Sequence, residues 1–151
     1  MTPPVDLASF RQLVALDHGL TVAVTRRSDH SLHATVVNAG VLPHPLSDDP
    51  AVGFVTGGGT RKLHHLRADP SIALTIRAGW QWATVEGNAT LIGPDDPHPA
   101  IDPEGLRRLL REIFRAAGGT HDDWATYDRT MRDERRTAVI VTPARVLTNP
   151  S

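Results

Sequence analysis

Between Asp6 and His18, apolar Leu7, Phe10, Leu13 and Val14 recur at steps of three and four, which gathers one apolar face on a short helix, and Gly19 closes the pattern. The period then changes. Leu20–Arg26 is rich in β-branched residues, Arg27-Ser28-Asp29-His30 is turn-forming, and Leu32–Val41 resumes an extended pattern, so the two runs read as a hairpin. Pro43, Pro45 and Asp48-Asp49-Pro50 break the chain before a further strand, Ala51–Thr56, which runs directly into Gly57-Gly58-Gly59. After Pro70, Ser71–Arg77 alternates with period two as a half-buried strand does, and Ala78-Gly79 allows a turn. Trp80–Ile92 is the longest candidate strand. Its alternation predicts Ala83, Val85, Gly87, Ala89 and Leu91 on one face, with Trp80, Trp82, Thr84, Glu86 and Asn88 on the other.

Gly93-Pro94-Asp95-Asp96-Pro97-His98-Pro99 reads as an irregular connection. Leu106, Leu109, Leu110, Ile113, Phe114 and Ala117 then follow the spacing of an amphipathic helix, stopped by Gly118-Gly119. Thr120 as N-cap, with Asp123 three residues on, predicts the start of another helix carrying Trp124, Tyr127 and Met131. Thr137–Thr142 is a compact apolar strand ended by Pro143, with extended structure resuming at Arg145-Val146-Leu147. The pattern thus yields about six strands, most joined by links short enough for antiparallel pairing. That predicts an α+β fold, a closed or partly closed barrel with short helices packed outside. There is no internal repeat and no low-complexity tract.

Length and composition narrow the picture. The 151 residues suit a single domain spanning 1–151. Sixteen Lys plus Arg against 17 Asp plus Glu leave a formal charge of −1, which argues against a general nucleic-acid binder, so any anion site must be local. With no cysteine there is no disulfide, thiol nucleophile or thiolate metal site, and a reducing compartment fits. Met1-Thr2-Pro3-Pro4-Val5-Asp6 lacks the basic start and apolar run of a signal peptide, and no apolar stretch is long enough to span a bilayer. The expectation is a soluble, cytoplasmic protein without a membrane partner.

The chemistry concentrates in Gly57–Arg67, where glycines hand over to Arg61, Lys62, His64, His65 and Arg67. Glycine lets backbone approach a ligand closely, and a helix starting near Arg61 would offer free amides beside Arg61 and Lys62, a setting for phosphate. Helical spacing keeps the five cationic groups off any single face, so two or three of them would reach a ligand. The plainer reading is a solvated helix whose glycines serve only the turn. No Gly-Lys-Ser/Thr follows, which excludes the phosphate loop of nucleotide hydrolases. Trp80 and Trp82 would cover either a planar ring or a neighbouring subunit, with core or dimer packing favoured. Glu86 reads as an ion-pair partner for an arginine. Eight histidines are scattered and the adjacent His64-His65 pair diverges, so no metal site is expected. His121-Asp122-Asp123 reads as helix-start chemistry, and no Gly-x-Ser-x-Gly elbow or paired-carboxylate spacing supplies hydrolytic machinery. A phosphate cradle and aromatic cover without acid, base or nucleophile suit a protein whose cofactor performs the reaction.

Four segments, His33-Ala-Thr-Val-Val-Asn-Ala-Gly40, Arg61-Lys-Leu-His-His-Leu-Arg-Ala-Asp-Pro70, Gly79-Trp-Gln-Trp-Ala-Thr-Val-Glu-Gly87 and Gly118-Gly-Thr-His-Asp-Asp-Trp124, together resemble the pyridoxamine 5′-phosphate oxidase-like superfamily. The resemblance covers about residues 6 to 148 and points to the actinobacterial branch of coenzyme F420 (deazaflavin)-dependent reductases. It implies a split β-barrel homodimer with two cofactor sites at the subunit interface and a small-molecule substrate stacked on the ring. It implies Arg61, Lys62 and His65 as phosphate contacts, Val36, Val37 and Asn38 as ring contacts, and Val55, Thr56, Gly57 and Gly58 running along the ring, with Trp80 and Trp82 as further cofactor or interface candidates. Relatives often carry Asn or Arg where this chain has His64 or His65, so cofactor binding is expected to weaken as histidine deprotonates. Vitamin B6 oxidases carry Arg-x-His near the C-terminus, whereas this chain ends Thr142-Pro-Ala-Arg-Val-Leu-Thr-Asn-Pro-Ser151, which favours the deazaflavin branch. FMN shares the ring-plus-ribityl-phosphate design and is the alternative cofactor; a binder without turnover is the non-enzymatic alternative. The resemblance identifies no catalytic residue or proton donor.

Overall fold

The structure, a computed structural model, describes residues 5–150, so Met1–Pro4 of the segment read above for a leader, and Ser151, lie outside the described residues. Its β-branched, alternating runs form β1 (Leu20–Arg26), β2 (Leu32–Pro43), β3 (Pro50–Thr56), β4 (Ser71–Ala78), β5 (Gln81–Ile92) and β6 (Thr137–Thr148). They close into a barrel in the order β1-β2-β3-β6-β5-β4, each neighbouring pair antiparallel. The α+β barrel expected from the pattern is therefore present, and it is closed. Four helices surround it: α1 (Ala8–Val14), α2 (Arg61–Ala68), α3 (Pro103–Ala116) and α4 (Trp124–Asp133). Among the described residues no helix is long and apolar enough to cross a membrane.

Alternation divides the buried residues into two cores. Ala23, Val37, Phe54, Leu74, Ile76, Val85 and Val139 turn into the barrel, where Phe10, Leu13 and Val14 of α1 and Leu63 and Leu66 of α2 join them. On the outside, Leu42, Ala51, Ala138 and Ile140 receive Leu109, Leu110 and Ile113 of α3 and Tyr127 of α4. Gly40 permits that second contact, since a Cβ there would stand 2.2 Å from the Ala116 carbonyl carbon.

Several boundaries differ from the pattern for identifiable reasons. α1 stops at Val14 because the next residues offer no apolar face, Leu16 being exposed, and His18 and Gly19 turn out of the helix with φ of 56° and 67°. α3 begins at Pro103, earlier than its leucines suggest, because Asp102 caps it by accepting from the Gly105 amide at 2.7 Å. Thr120 does not cap α4. Asp123 does, accepting from the Thr126 amide at 3.1 Å and from the Thr126 hydroxyl at 2.6 Å. Trp80 is not on a strand: Ala78 pairs with Gln81, which leaves Gly79 and Trp80 as a two-residue turn and Trp80 91% exposed. The expected shared face of Trp80 and Trp82, and core packing for Trp80, do not form.

Pro143 bends β6 without ending it. Glu86 pairs with Arg145 while Gly87 pairs with Pro143, so Ala144 is the additional residue of a bulge. Gly87 accommodates it: a Cβ there would lie 2.0 Å from the Thr142 carbonyl oxygen. The expected partner of Glu86 is Arg145, its Nε 2.8 Å from the carboxylate.

Candidate functional site

β3 delivers the chain into Gly57–Thr60, and α2 starts at Arg61 with Thr60 at its N-cap in extended conformation. The Thr60 side chain makes no cap hydrogen bond, its hydroxyl standing instead 3.2 Å from that of Thr56. The first-turn amides of an α-helix have no intrahelical acceptor, so this end of α2 offers N–H groups and the positive end of a dipole. The glycines before it divide their roles. Gly58 lies against the turn after α4, where a Cβ would approach Arg135 to 2.7 Å, and Gly59 has φ +81°; only Gly57 has an open surround and a backbone free of that constraint. Gly58 and Gly59 are thus explained by folding alone, and Gly57 is the position free to face a ligand.

The cationic residues of α2 also separate. Arg67 forms a bidentate ion pair with Asp96, at 2.9 and 2.7 Å, and is removed from the candidate set. Arg61 and Lys62 have no ion-pair partner among the described residues. Partial burial lowers the Lys62 ammonium from its usual value. Arg61, His64 and His65 line a cavity of about 430 Å³ with Arg26 at the end of β1 and Arg27 and His30 of the β1–β2 turn. The carboxylate in its wall, Asp69, is engaged by Arg26 at 2.8 Å.

Behind this cavity, α2 closes one end of the barrel. His65 is buried, its Nδ1 2.9 Å from the Thr25 hydroxyl, and its ring meets the His33 ring edge-on at 5.1 Å. Thr25 and His33 are direct partners across β1 and β2. Burial, and then the positive charges of His33, Arg27, His64 and Arg61, hold the His65 imidazole below its ordinary value. His33 Nδ1 and Thr35 Oγ1 are buried without hydrogen-bond partners. The cavity's unneutralised cations, with the orphaned His33 nitrogen behind the His65 ring, fit an anionic group rich in acceptor oxygens. Among the described residues no group of three or more His, Cys, Asp or Glu has an arrangement that could hold a metal ion.

The remaining candidates distribute along β2 and β3. Val36 and Asn38 face outward, Val36 being 66% exposed, whereas Val37 turns its side chain into the core and offers a ligand only its backbone. Asn38 Nδ2 donates to the His18 carbonyl at 2.9 Å, which fixes the amide. Asn38 and Val55 line a second cavity, of about 330 Å³, with His18, Phe114, Tyr127 and Arg136 among the other walls. Burial pushes the Tyr127 phenol up to about 12, and its hydroxyl donates to the Leu110 carbonyl. From His33 to Asn38 the strand runs about 17 Å, the distance a ligand touching both regions must cover. Thr56 is buried beneath the glycine loop. Lys62, Trp80 and Trp82 line none of these cavities. Arg26, Arg27 and His33 were not nominated from the sequence. Their common signal, a hairpin with basic residues at its turn, acquires meaning only when α2 folds over it.

No protein-family model and no curated protein matches the chain. Solved structures do. A conserved hypothetical protein from Mycobacterium tuberculosis superposes with a TM-score of 0.68 at 17% identity, over 97% of this chain and 89% of the other. A pyridoxamine 5′-phosphate oxidase-related, FMN-binding protein from Nostoc punctiforme gives 0.63 at 13% identity, over 97% and 86% of the two chains. An F420 reductase gives 0.59 at 11% identity, over 97% and 98%. At these identities the likeness is one of fold: the chain shares its barrel with structures that include a pyridoxamine 5′-phosphate oxidase-related, FMN-binding protein and an F420 reductase.

Proposed function

We propose that this chain, folded as that barrel, is a coenzyme F420-dependent oxidoreductase that passes hydride between the deazaflavin and an unsaturated small molecule. The observation that carries this reading is the uncapped start of α2, flanked by Arg61 and Lys62 without carboxylate partners among the described residues and backed, behind His65, by the orphaned His33 Nδ1. In this reading the α2 amides, Arg61 and Lys62 hold the phosphate, while the His65 imidazole lies behind it as a polarisable support. Gly57 lets the backbone approach, Val55 and Thr56 carry the chain along the ring edge, and Val36, the Val37 backbone and the pinned Asn38 amide set the plane of the ring. The bound deazaflavin supplies a hydride at its ring carbon. The protein's contribution is alignment of the reacting carbons at about 3–3.5 Å in a water-poor site. Tyr127 keeps its proton against Leu110, so His18 is the group lining the cavity whose chemistry suits proton delivery.

FMN is the second reading, favoured by the FMN-binding structure of the same fold, because a phosphate cradle does not separate the two cofactors. The barrel also presents an outward row in register: Val36 pairs with Val22, Val22 with Thr75, Thr75 with Thr84 and Thr84 with Leu147. Its apolar members are exposed, Val36 by 66%, Val22 by 40% and Leu147 by 44%. This supports a homodimer that covers the row and shares the cofactor site with it.

Titrating the purified protein with F420 and with FMN by fluorescence tests the reading. Binding of F420 tighter than FMN is expected, and Lys62→Glu should weaken it at least tenfold while the thermal midpoint stays within a few degrees. Equal affinity in the Lys62→Glu protein removes the phosphate placement, and binding of FMN alone selects the second reading.

A further inference from the structure

Another cavity lies away from the proposed phosphate cradle, beneath the 93–101 connection and between α3 and α4, and shares Met131 and Arg136 with the Asn38 and Val55 cavity. It measures about 490 Å³, within the range of small-molecule sites. Ile92, Ile101, Leu106, Leu110 and Met131 supply apolar walls. The acids around it are already engaged: Asp102 accepts from the Gly105 amide, Glu104 binds Arg107, and Asp128 holds Arg111 and Arg107. One wall group is left incomplete. Arg136 reaches the Glu134 carboxylate only through Nη2, at 3.2 and 3.3 Å, and its Nε is buried with no hydrogen-bond partner. Arg132, also in the wall, has no ion pair among the described residues.

We propose that this cavity binds a small monocarboxylate with an apolar body, its carboxylate on the Arg136 guanidinium and its body along Ile101, Leu106 and Met131. A carboxylate oxygen gives the buried Nε–H the acceptor it lacks, and a guanidinium presents two parallel donors to it. The apolar walls exclude a small hydrophilic anion, which would lose hydration over most of its surface there without compensation. The opposite charge is disfavoured, since an ammonium would face Arg132, which has no ion pair among the described residues, and the unsatisfied Nε–H of Arg136. An aliphatic or an aromatic acid satisfies the same chemistry.

Calorimetric titration of the purified protein with decanoate, 2-naphthoate and decan-1-ol tests the proposal without any cofactor. At least one acid should bind below millimolar concentration and roughly tenfold or more tighter than decan-1-ol, the better acid showing whether the body is aliphatic or aromatic. Arg136→Gln should remove that preference for the acid. Because Arg136 also borders the Asn38 and Val55 cavity, Leu106→Trp provides an independent variant: Leu106 lines only the larger space, and filling it should abolish acid binding in a protein that remains folded by circular dichroism. No binding of either acid at 1 mM, equal binding of acid and alcohol, or an unchanged affinity in Leu106→Trp overturns the proposal.

Discussion

His65 couples the candidate site to pH. Its imidazole and that of His44 are both buried, and burial is the leading cause that holds each below its ordinary value; in His44 the nearby Asp49 opposes the shift. A lowered folded value means that the unfolded chain takes up these protons first, so stability is complete above the unfolded value near 6.5 and falls on acidification through it. The affected carboxylates at Asp69, Asp95 and Asp128 are lowered by their partners and remain ionised in that window. Urea unfolding midpoints are expected to be lower at pH 5.5 than at pH 7.5, with the difference reduced in His65→Gln; equal midpoints at the two pH values contradict the assignment. A bound anion acts with the opposite sign, favouring the imidazolium, so affinity should rise as pH falls while the fold persists. The expectation that binding weakens as histidine deprotonates therefore keeps its direction, and burial moves the free protein's window to lower pH.

At the scale of elements, the Gly57–Arg67 unit joins two requirements that the residue pattern presents as one. Gly58 touches the turn after α4 and its amide donates to the Glu134 carbonyl at 3.0 Å, so the loop is anchored before any ligand is considered. Gly58→Ala should destabilise the protein by about 1–3 kcal/mol in urea unfolding, because the methyl meets backbone as well as side chain. Gly57→Ala should change stability by less than about 0.5 kcal/mol but weaken cofactor binding; the reverse assignment of the two effects would show that the open position is not the ligand-facing one. Strand locations were readable because two-residue alternation survives wherever one face is buried, as in β1 and β4. Caps were less readable. Thr120 and Asp123 are both competent residues, and the choice falls to Asp123 because His121 Nδ1 accepts the Asp123 amide and sets the helix start three residues later. Pro143 reads as a terminator in isolation, whereas the bulge opposite Gly87 lets it continue the strand.

For the whole molecule, the barrel was legible from strand number and short links, and its closure from neither, since closure depends on the pairing of β1 with β4. The proposed anion contact at Arg61 could be read from its place after the glycines. The orphaned atoms of His33 and Thr35 could not, because their lack of partners is a property of the folded barrel, where β2 pairs with β1 and α2 packs against them. The exposed row through Val36, Val22 and Leu147 belongs to the same scale. Val22→Lys with Val36→Lys should convert a dimer to a monomer in sedimentation equilibrium while leaving the far-ultraviolet spectrum intact; a monomeric wild-type protein, or a dimer undisturbed by both lysines, removes the role assigned to that face.

The pairing of β4 with β1 also closes the sheet, so no whole strand lies at an edge. Free backbone groups remain only where neighbours part: β2 meets β3 over Ala39–Pro43 alone, so among the described residues the 32–38 stretch keeps one edge without a strand partner. Elsewhere the paired strand amides owe their shielding to one chain alone. Dilution that separates copies should leave amide exchange in the strand segments paired on both sides largely unchanged, while the environment of Val36 changes from protein to water.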